Sequence, residues 1–395
     1  MPREYYAWLW MPFHFWTVVF FILGSIVGSL LNVLIHRMPR GESVITPGSH
    51  CPHCQAAIPW YLNLPILTWI FLRGKCANCG ASISVRYLIV ETLTGSAFMA
   101  SWVVYGGWTP WLPLAYSILM AGLIAASFID GEHYIIPHEI TLGGMLAGLL
   151  LSALVPSLHD TTSRLTSLGL SALGLVVGGG LIYSVVRMGK ILFGRYILIL
   201  KPGSKVVFTD HSMVLAEPDI QVQTMFWMFP LPFTKRMFSL PSPEVPFDEL
   251  FYRENDTVSF QAETVDLGDR QFANVPVRLS LIPSRLVIGE ESLDPGPIVR
   301  MEVITSEIIA PREAMGFGDV TFMAAIGSFL GWQAIAPFIL LVSALLAIVA
   351  GFGSRLFRGA SWSSRLPYGP YIAMAATIWI FGGKRFYDLW VSALF

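Results

Sequence analysis

The sequence has 395 residues, of which 54% are hydrophobic and 13% charged, and its mean hydropathy is +0.61. These values exclude an ordinary soluble globular protein and indicate a chain that crosses a membrane several times. The net charge of −1 points to no class of partner, because positive and negative residues are unevenly distributed along the chain.

Eight apolar stretches approach the roughly 20 residues that a helix needs to cross a bilayer. The first is too long for a signal-peptide core and its basic residues follow it, so we interpret it as a retained span. We therefore predict an α-helical polytopic membrane protein, surrounded by membrane lipid, with spans near residues 13–35, 87–105, 111–129, 139–156, 167–186, 319–332, 334–353 and 368–382.

Lys and Arg in the connecting loops predict the orientation of these spans. The loops after spans one, five and seven are rich in basic residues, whereas the loops near 105–110 and 332–334 carry no charge. Because basic loops remain in the cytoplasm, we place the loops after odd-numbered spans on the cytoplasmic side and the N-terminus outside.

Two acidic residues stand at the ends of predicted spans. Asp130 ends the third span, and Asp319 begins the sixth, directly after a Gly-x-Gly turn formed by Gly316 and Gly318. A carboxylate at the membrane is costly to desolvate and therefore marks a candidate functional site. The predicted topology brings both acids to the cytoplasmic face.

Two carboxylates in one site cannot both ionise comfortably, so one remains protonated while the other takes a proton from water, as in an aspartic protease. Two other interpretations remain open: the acids are independent helix caps, or they relay protons in a transporter. A transporter would place acids within its spans and would show related halves, and the sequence has no evident internal repeat.

Polar residues crowd the loop after Asp130. We interpret Glu132, His133, His138 and Glu139 as solvated loop residues, although together with Asp130 they are also a candidate metal site. The solvated interpretation is favoured because their spacing matches no closed ligand set.

Two other features lie within predicted spans. Glu91 is about one turn inside the second span and requires a partner, for which Arg86 or a polar group of the catalytic face are the candidates. Three consecutive glycines, Gly178 to Gly180, lie inside the fifth span and indicate close helix packing.

The four cysteines form two Cys-x-x-Cys pairs, Cys51 with Cys54 and Cys76 with Cys79, separated by 21 residues. This spacing is typical of a structural zinc site, in which four thiolates complete a tetrahedron and leave no position for water. A redox pair is disfavoured on a reducing cytoplasmic face. A nucleic-acid-binding ribbon is disfavoured because the loop has few basic residues and adjoins the membrane, and His53 is interpreted as a bystander.

Residues 190–310 differ in composition from the rest of the chain. They contain 11 Lys plus Arg against 16 Asp plus Glu, a net charge of −5, which leaves +4 for the remainder. We interpret the apolar stretch 223–238, which includes two prolines, as core or an interfacial patch rather than a further span. A small, β-rich, soluble domain on the cytoplasmic side is predicted by alternating runs at 205–208, 257–264, 275–282 and 298–305.

Five stretches together resemble the type IV prepilin peptidase family of bifunctional leader peptidases and N-methyltransferases. A single Gly-x-Gly-Asp is a weak signal, whereas five such stretches in the same order are highly specific. They are GSIVGSLLNVLIHRMP at 24–39, the cysteine loop at 51–91, the segment 130–141, the Gly-x-Gly-Asp segment at 316–332 and LPYGPY at 366–371.

The resemblance implies an integral-membrane aspartyl protease of the GxGD type. It would remove the short basic leader of prepilins or pseudopilins after a glycine, on the cytoplasmic side of the bacterial inner membrane, in type IV pilus and type II secretion systems. It would also methylate the new N-terminus with S-adenosylmethionine, to which no residue is assigned. The residues carried over are Asp130 and Asp319 as the catalytic pair, and Cys51, Cys54, Cys76 and Cys79 as ligands of a structural zinc ion.

Three departures from the family pattern are present. The chain has His138 where the family often has Asp or Asn, and Thr321 where it often has Lys. The third departure is the insertion at 190–310, which we hypothesise gates access or binds the globular part of the substrate or an assembly protein. The competing interpretation is a zinc-containing membrane scaffold for pilus or secretion assembly, in which the acids are structural.

These features predict five segments along the chain. They are the first span (1–35), a cytoplasmic zinc-binding loop associated with methyl transfer (36–86), spans two to five with the first catalytic Asp (87–189), the β-rich insertion (190–310) and spans six to eight with the GxGD motif (311–395).

Overall fold

The chain folds into two compact units. One comprises Met1–Tyr183 together with Phe317–Phe395, and the other comprises Ser184–Gly316. The computed structural model describes residues 12–107, 109–193, 195–215, 219–224, 236–239, 244–247, 256–281, 284–294, 300–311, 316–358 and 366–394.

The first unit is built from helices. Two of them continue through a π-helical turn, at Ile335–Ile339 and at Trp379–Gly383. The helices are α1 (Phe13–Arg37), α2 (Leu67–Phe71), α3 (Val85–Tyr105), α4 (Trp111–His133), α5 (His138–Leu154), α6 (Arg164–Phe193), α7 (Phe317–Leu330), α8 (Trp332–Ala334), α9 (Leu340–Arg358), α10 (Gly369–Ile378) and α11 (Lys384–Leu394).

Several of these helices are long and apolar enough to cross a membrane, so the chain is a multi-pass membrane protein. Among the other predicted spans, α5 has 17 residues, α7 has 14 and α10 has 10 before its π-helical turn. The count of eight spans therefore stays a prediction. In the described part of the chain, five helical segments are long and apolar enough to cross a membrane: Phe13–Arg40, Val85–Tyr105, Trp111–His133, Arg164–Gly189 and Trp332–Gly353.

Helices α1 and α3 pack closely because glycines remove side chains from their contact. A Cβ atom added to Gly24 would lie 2.7 Å from the carbonyl oxygen of Thr94. One added to Gly28, a turn further on, would lie 2.7 Å from the Cα atom of Glu91. The Gly-x-x-x-Gly spacing is a recurrent contact motif between membrane helices, since it lets two backbones approach.

Helix α7, which follows the Gly-x-Gly turn, is buried almost completely, since residues 319–329 are all buried. It packs against α6, where a Cβ atom added to Gly178 would lie 2.5 Å from the carbonyl oxygen of Met323. Ser171 Oγ donates a hydrogen bond of 2.6 Å to the carbonyl oxygen of Ser328. The close packing predicted from the glycine run is confirmed at Gly178, whereas a Cβ atom added to Gly180 would meet nothing within 4 Å.

The second unit is an antiparallel β-structure, and its strands overlap all four runs predicted from alternation. The hydrogen-bonded order is β5-β4-β1-β12-β7-β11-β2-β3-β6, while β8 pairs with β7 and β9, and β9 pairs with β10. The strands are β1 (Arg195–Ile199), β2 (Lys205–Thr209), β3 (Ser212–Leu215), β4 (Asp219–Thr224), β5 (Arg236–Ser239), β6 (Glu244–Pro246), β7 (Thr257–Asp266), β8 (Gln271–Leu281), β9 (Ser284–Ile288), β10 (Glu291–Leu293), β11 (Arg300–Ile304) and β12 (Glu307–Pro311).

This unit has its own apolar core, which accounts for the alternating sequence. Every second residue points inward on β2, as Val206 and Phe208 do, and on β7 from Val258 to Ala262. The rings of Phe208 and Phe260 stack with their centroids 5.5 Å apart. The central part of the apolar stretch 223–238 lies outside the described residues.

We predict that Gly178→Ala lowers the free energy of unfolding by about 1–3 kcal/mol, because overpacking a tight contact forces the backbone to shift. The added methyl group would lie 2.5 Å from a backbone oxygen of α7. Gly180→Ala is the matched control, since its Cβ meets nothing within 4 Å and Ala is the better helix former. Thermal unfolding in detergent measures both, and equal melting temperatures for the two variants would contradict this packing.

Candidate active site and metal centre

Asp130 lies three residues before the end of α4, and its side chain is only 6% exposed. Its Oδ2 accepts a hydrogen bond of 2.8 Å from the backbone N–H of Gly369, the first residue of α10. The N-terminus of a helix carries a partial positive charge, so the carboxylate is stabilised there. Asp130 therefore does not cap its own helix but accepts a hydrogen bond from the first residue of α10.

Asp319 is the third residue of α7, which begins at Phe317, so it is not the N-cap of that helix. The residue is 9% exposed. Just before it, Gly318 packs so closely that an added Cβ would lie 3.2 Å from the Cβ of Ile136. The second glycine of the Gly-x-Gly turn therefore allows the start of α7 to approach the loop after α4.

Ile136 connects the two acidic segments. A Cβ atom added to Gly369 would lie 3.2 Å from Ile136 Cδ1 and 2.8 Å from Asp130 Oδ2. The same isoleucine packs against Gly318 and is itself buried. The fold thus brings the end of α4, the start of α10 and the start of α7 around one side chain.

The residue before α10 contacts α9. Tyr368 has its hydroxyl 2.9 Å from Ser343 Oγ of that helix. Sequence reasoning missed Gly369, Tyr368 and Ile136 as site residues. The signals were the LPYGPY stretch, which contains the first two, and the stretch 130–141, which contains Ile136, but neither gave these three residues a physical role.

The four polar residues after Asp130 were expected in a loop, but Glu132 and His133 belong to the end of α4, and His138 and Glu139 belong to the start of α5. Among the described residues, a cluster that could hold a metal ion is found at the cysteines and not at these four residues. Glu132 instead pairs with Arg86 at the start of α3, whose Nη1 lies 2.8 Å and 2.6 Å from the two carboxylate oxygens.

Two of the three departures from the family pattern are single residues, His138 and Thr321. His138 is the first residue of α5. The hydroxyl of Thr321 donates a hydrogen bond of 3.0 Å to the carbonyl oxygen of Gly318.

Of the two candidate partners of Glu91, Arg86 pairs instead with Glu132. Glu91 Oε2 accepts a hydrogen bond of 2.7 Å from the backbone N–H of Ile66, in the loop between the two cysteine pairs. Ile66 is the centre of a γ-turn, with φ +63° and ψ −54°, closed by a 2.6 Å hydrogen bond from the Leu67 N–H to the Pro65 carbonyl. A β-branched residue rarely adopts a positive φ, so the buried carboxylate holds a strained turn in place.

The four cysteines form one compact cluster. All four Sγ atoms lie within 4.8 Å of one another, and those of Cys51 and Cys79 are 3.8 Å apart. A tetrahedral zinc with Zn–S bonds of about 2.3 Å would place its sulfur atoms about 3.8 Å apart, which fits this arrangement. The cysteines are not in disulfides, and His53 is not part of the cluster.

The two Cys-x-x-Cys pairs adopt the same turn. In each, the fifth residue donates its N–H to the carbonyl oxygen of the first cysteine, at 2.9 Å, and has a positive φ: Gln55 in the first pair and Gly80 in the second. Hydrogen bonds from the Ala56 backbone N–H and from the Asn78 amide lower the pKa of Cys54 to about 6. Such thiolate character suits a metal ligand.

We predict that Glu91→Leu frees the Ile66 turn, because a buried N–H would lose its acceptor at a cost of about 1–3 kcal/mol. Hydrogen exchange at the Ile66 amide, followed by mass spectrometry, should become faster than in the wild type. Glu91→Gln is the matched control, since its amide oxygen still accepts this hydrogen bond. Unchanged protection of Ile66 in Glu91→Leu would show that the carboxylate does not hold the turn.

Comparison with protein families identifies two matching regions. Residues 22–105 match the bacterial peptidase A24 N-terminal domain. Residues 117–200 and 297–352 match the type IV leader peptidase family. The second match contains both Asp130 and Asp319 and omits most of the β-structure. No solved structure is significantly similar to the chain.

Several curated relatives are similar over much of the chain. A prepilin leader peptidase/N-methyltransferase of Myxococcus xanthus is 34% identical over 277 residues, covering 59% of this chain and 81% of that protein. One from Aeromonas hydrophila is 24% identical over 399 residues, covering 94% of this chain and 92% of that protein. A type 4 prepilin-like proteins leader peptide-processing enzyme of Escherichia coli is 42% identical over 147 residues, covering 32% of this chain and 53% of that protein. The chain therefore belongs to the type IV leader peptidase family.

Proposed function

We propose that this protein is a membrane aspartyl endopeptidase that removes the short basic leader of type IV prepilins or pseudopilins and then N-methylates the new N-terminal residue. Family membership supports the cleavage and the methylation. One observation supports the assignment of residues: Gly369, which binds Asp130, and Gly318, which precedes Asp319, both pack against Ile136. Asp130 and Asp319 are the proposed catalytic pair.

The proposed hydrolysis uses the pair as one titrating unit. The ionised carboxylate takes a proton from a water molecule, whose oxygen attacks the scissile carbonyl carbon, while the protonated carboxyl donates to the carbonyl oxygen. Collapse of the tetrahedral species breaks the C–N bond, and the leaving amine receives a proton from the pair. The N–H of Gly369 supports this chemistry because it orients the Asp130 carboxylate.

Methylation requires a methyl donor, which we propose is S-adenosylmethionine. Its sulfonium would supply the methyl group to the newly formed amine, and we assign no residue of the chain to its binding. The cysteine cluster is proposed to hold a structural zinc ion through Cys51, Cys54, Cys76 and Cys79. Four thiolates close the coordination sphere, so the metal would join the two Cys-x-x-Cys turns and take no part in hydrolysis.

The protein is proposed to lie in the bacterial inner membrane with eight spans and with Asp130, Asp319 and the cysteine loop on the cytoplasmic side. The basic loops after odd-numbered spans support this orientation. The β-structure, which the family match largely omits, is proposed to face the same side and to bind the globular part of the substrate or an assembly protein. Its insertion immediately before Asp319 supports a role in access to the site.

The decisive experiment compares wild type, Asp130→Asn and Asp319→Asn in cleavage of a prepilin-type substrate by purified protein in detergent. Asn keeps the size of Asp but cannot exchange a proton. At position 130 its side-chain oxygen still accepts the hydrogen bond from Gly369. We expect each variant to fold and to lose activity by about 10²-fold or more, as for loss of a general acid or base. Product masses report trimming and methylation together.

Asp160→Asn is the control for this experiment, because Asp160 is an exposed acid that pairs with Lys384. It should cleave like the wild type. If either Asp130→Asn or Asp319→Asn also cleaves like the wild type, the proposed pair is wrong and a scaffold role for the acids gains support. If the wild type gives a trimmed product that lacks the added methyl mass, the proposed peptidase activity stands and the proposed methyltransferase activity is wrong.

We predict one zinc ion per chain in the purified protein, measured by elemental mass spectrometry. Cys54→Ser should lower the zinc content, since three thiolates bind zinc less tightly than four. His53→Ala is the matched control, because this histidine lies between two ligands but outside the cluster, and it should retain full zinc. Equal loss in both variants would show that the ligand set is wrong.

A further inference from the structure

Several large apolar side chains are exposed between the two cysteine pairs. Residues 55–72, here called the 55–72 segment, include no charged residue. Exposed apolar surfaces of this kind mark contacts with a partner or a membrane. The segment exposes six large apolar side chains: Trp60 (81%), Tyr61 (56%), Leu64 (45%), Leu67 (58%), Ile70 (56%) and Phe71 (86%).

The depth of this segment follows from its hydrogen bond to α3. That helix has 21 residues, so at 1.5 Å per residue it is about 31 Å long and needs its full length to cross a hydrocarbon core of about 30 Å. Glu91 lies six residues into α3, about 9 Å along its axis. Because the Glu91 carboxylate binds the Ile66 N–H, the middle of the segment is held below the level at which α3 enters the membrane.

The backbone of the segment is suited to this depth. In lipid, backbone N–H groups must find partners within the protein, because no water replaces them. The γ-turn at Ile66 and the short helix α2 provide such partners, and Glu91 accepts the N–H that the turn directs outward. Hydrogen bonds to carbonyl oxygens of the same segment are donated by the N–H groups of Leu62, Asn63, Leu67, Thr68, Ile70 and Leu72.

The side chains match the boundary between headgroups and acyl chains. Trp60 and Tyr61 combine an apolar ring with a polar group, as do the aromatic residues that line membrane interfaces. Arg73 and Lys75 follow the segment directly and are complementary to lipid phosphates. Apolar residues on α3 itself, Val85 among them, are also exposed, so the segment adjoins a helix that already faces lipid.

We propose that the 55–72 segment is an interfacial membrane anchor, inserted into the lipid at the boundary of headgroups and acyl chains. The exposed apolar side chains of the segment contact the bilayer, and the anchor holds both Cys-x-x-Cys turns against the membrane. This inference does not depend on the proposed catalytic pair, the zinc ion or the methyl transfer.

The test measures the environment of single spin labels in proteoliposomes of phosphatidylethanolamine and phosphatidylglycerol. A genetically encoded ketone amino acid carries the label, so that all four cysteines remain. Trp60 and Phe71 are the test positions. Val349, 68% exposed on α9, is the lipid reference, and Asp269, with a side chain 77% exposed in the second unit, is the water reference. Collisions with oxygen report lipid, and collisions with a water-soluble nickel complex report solvent.

We expect both test positions to favour oxygen over nickel severalfold more than the Asp269 position does, and to approach the Val349 position. Nickel accessibility equal to that at Asp269 would overturn the proposal. A second measurement adds a prepilin-type peptide. If the labels at Trp60 and Phe71 face water and become protected only with the peptide, the surface binds a polypeptide instead of lipid, and the proposal is wrong.

Discussion

The hydrogen bond between the Asp130 carboxylate and the Gly369 N–H is the interaction on which the candidate site depends. A buried acid among membrane helices requires a partner inside the protein, and the first N–H of α10 supplies it. This contact needs a residue without a Cβ, because a Cβ at Gly369 would lie 2.8 Å from Oδ2. Ile136 then packs against Gly369 and Gly318 together, so the position of Asp130 is linked to the start of α7.

Close packing of small residues fixes the frame around this contact. Lipid provides no hydrophobic driving force for helices to associate, so backbone approach and dispersion contacts replace it. Helix α7 has 14 residues, and its burial depends on glycines in its neighbours, such as Gly178 of α6. Glycines at the contact of α1 and α3 act in the same way, which leaves Glu91 covered by the α1 backbone at Gly28.

Residue type made the acids and cysteines recognisable in the sequence. An acid that interrupts an apolar run, as Asp319 does, and cysteines at metal-ligand spacing are rare without a role. Partners supplied by the backbone leave no such trace, so the donors at Ile66 and Gly369 were not predicted. A positive φ at Ile66 even contradicts the preference of a β-branched residue. Alternation revealed the β-strands, but their order in the sheet depends on long-range pairing that local patterns do not contain.

Arg86, one of the two candidate partners of Glu91, pairs with a different acid. An arginine beside a carboxylate favours the ionised form, which would oppose the proton exchange proposed for a catalytic acid. The structure instead engages Arg86 with Glu132, two residues after Asp130, and gives Asp130 and Glu91 neutral peptide N–H donors. A peptide N–H orients an acid and favours its ionised form less strongly than the full positive charge of an arginine does. Asp130 is therefore held in position by a backbone donor, with no arginine bound to it in the described part of the chain.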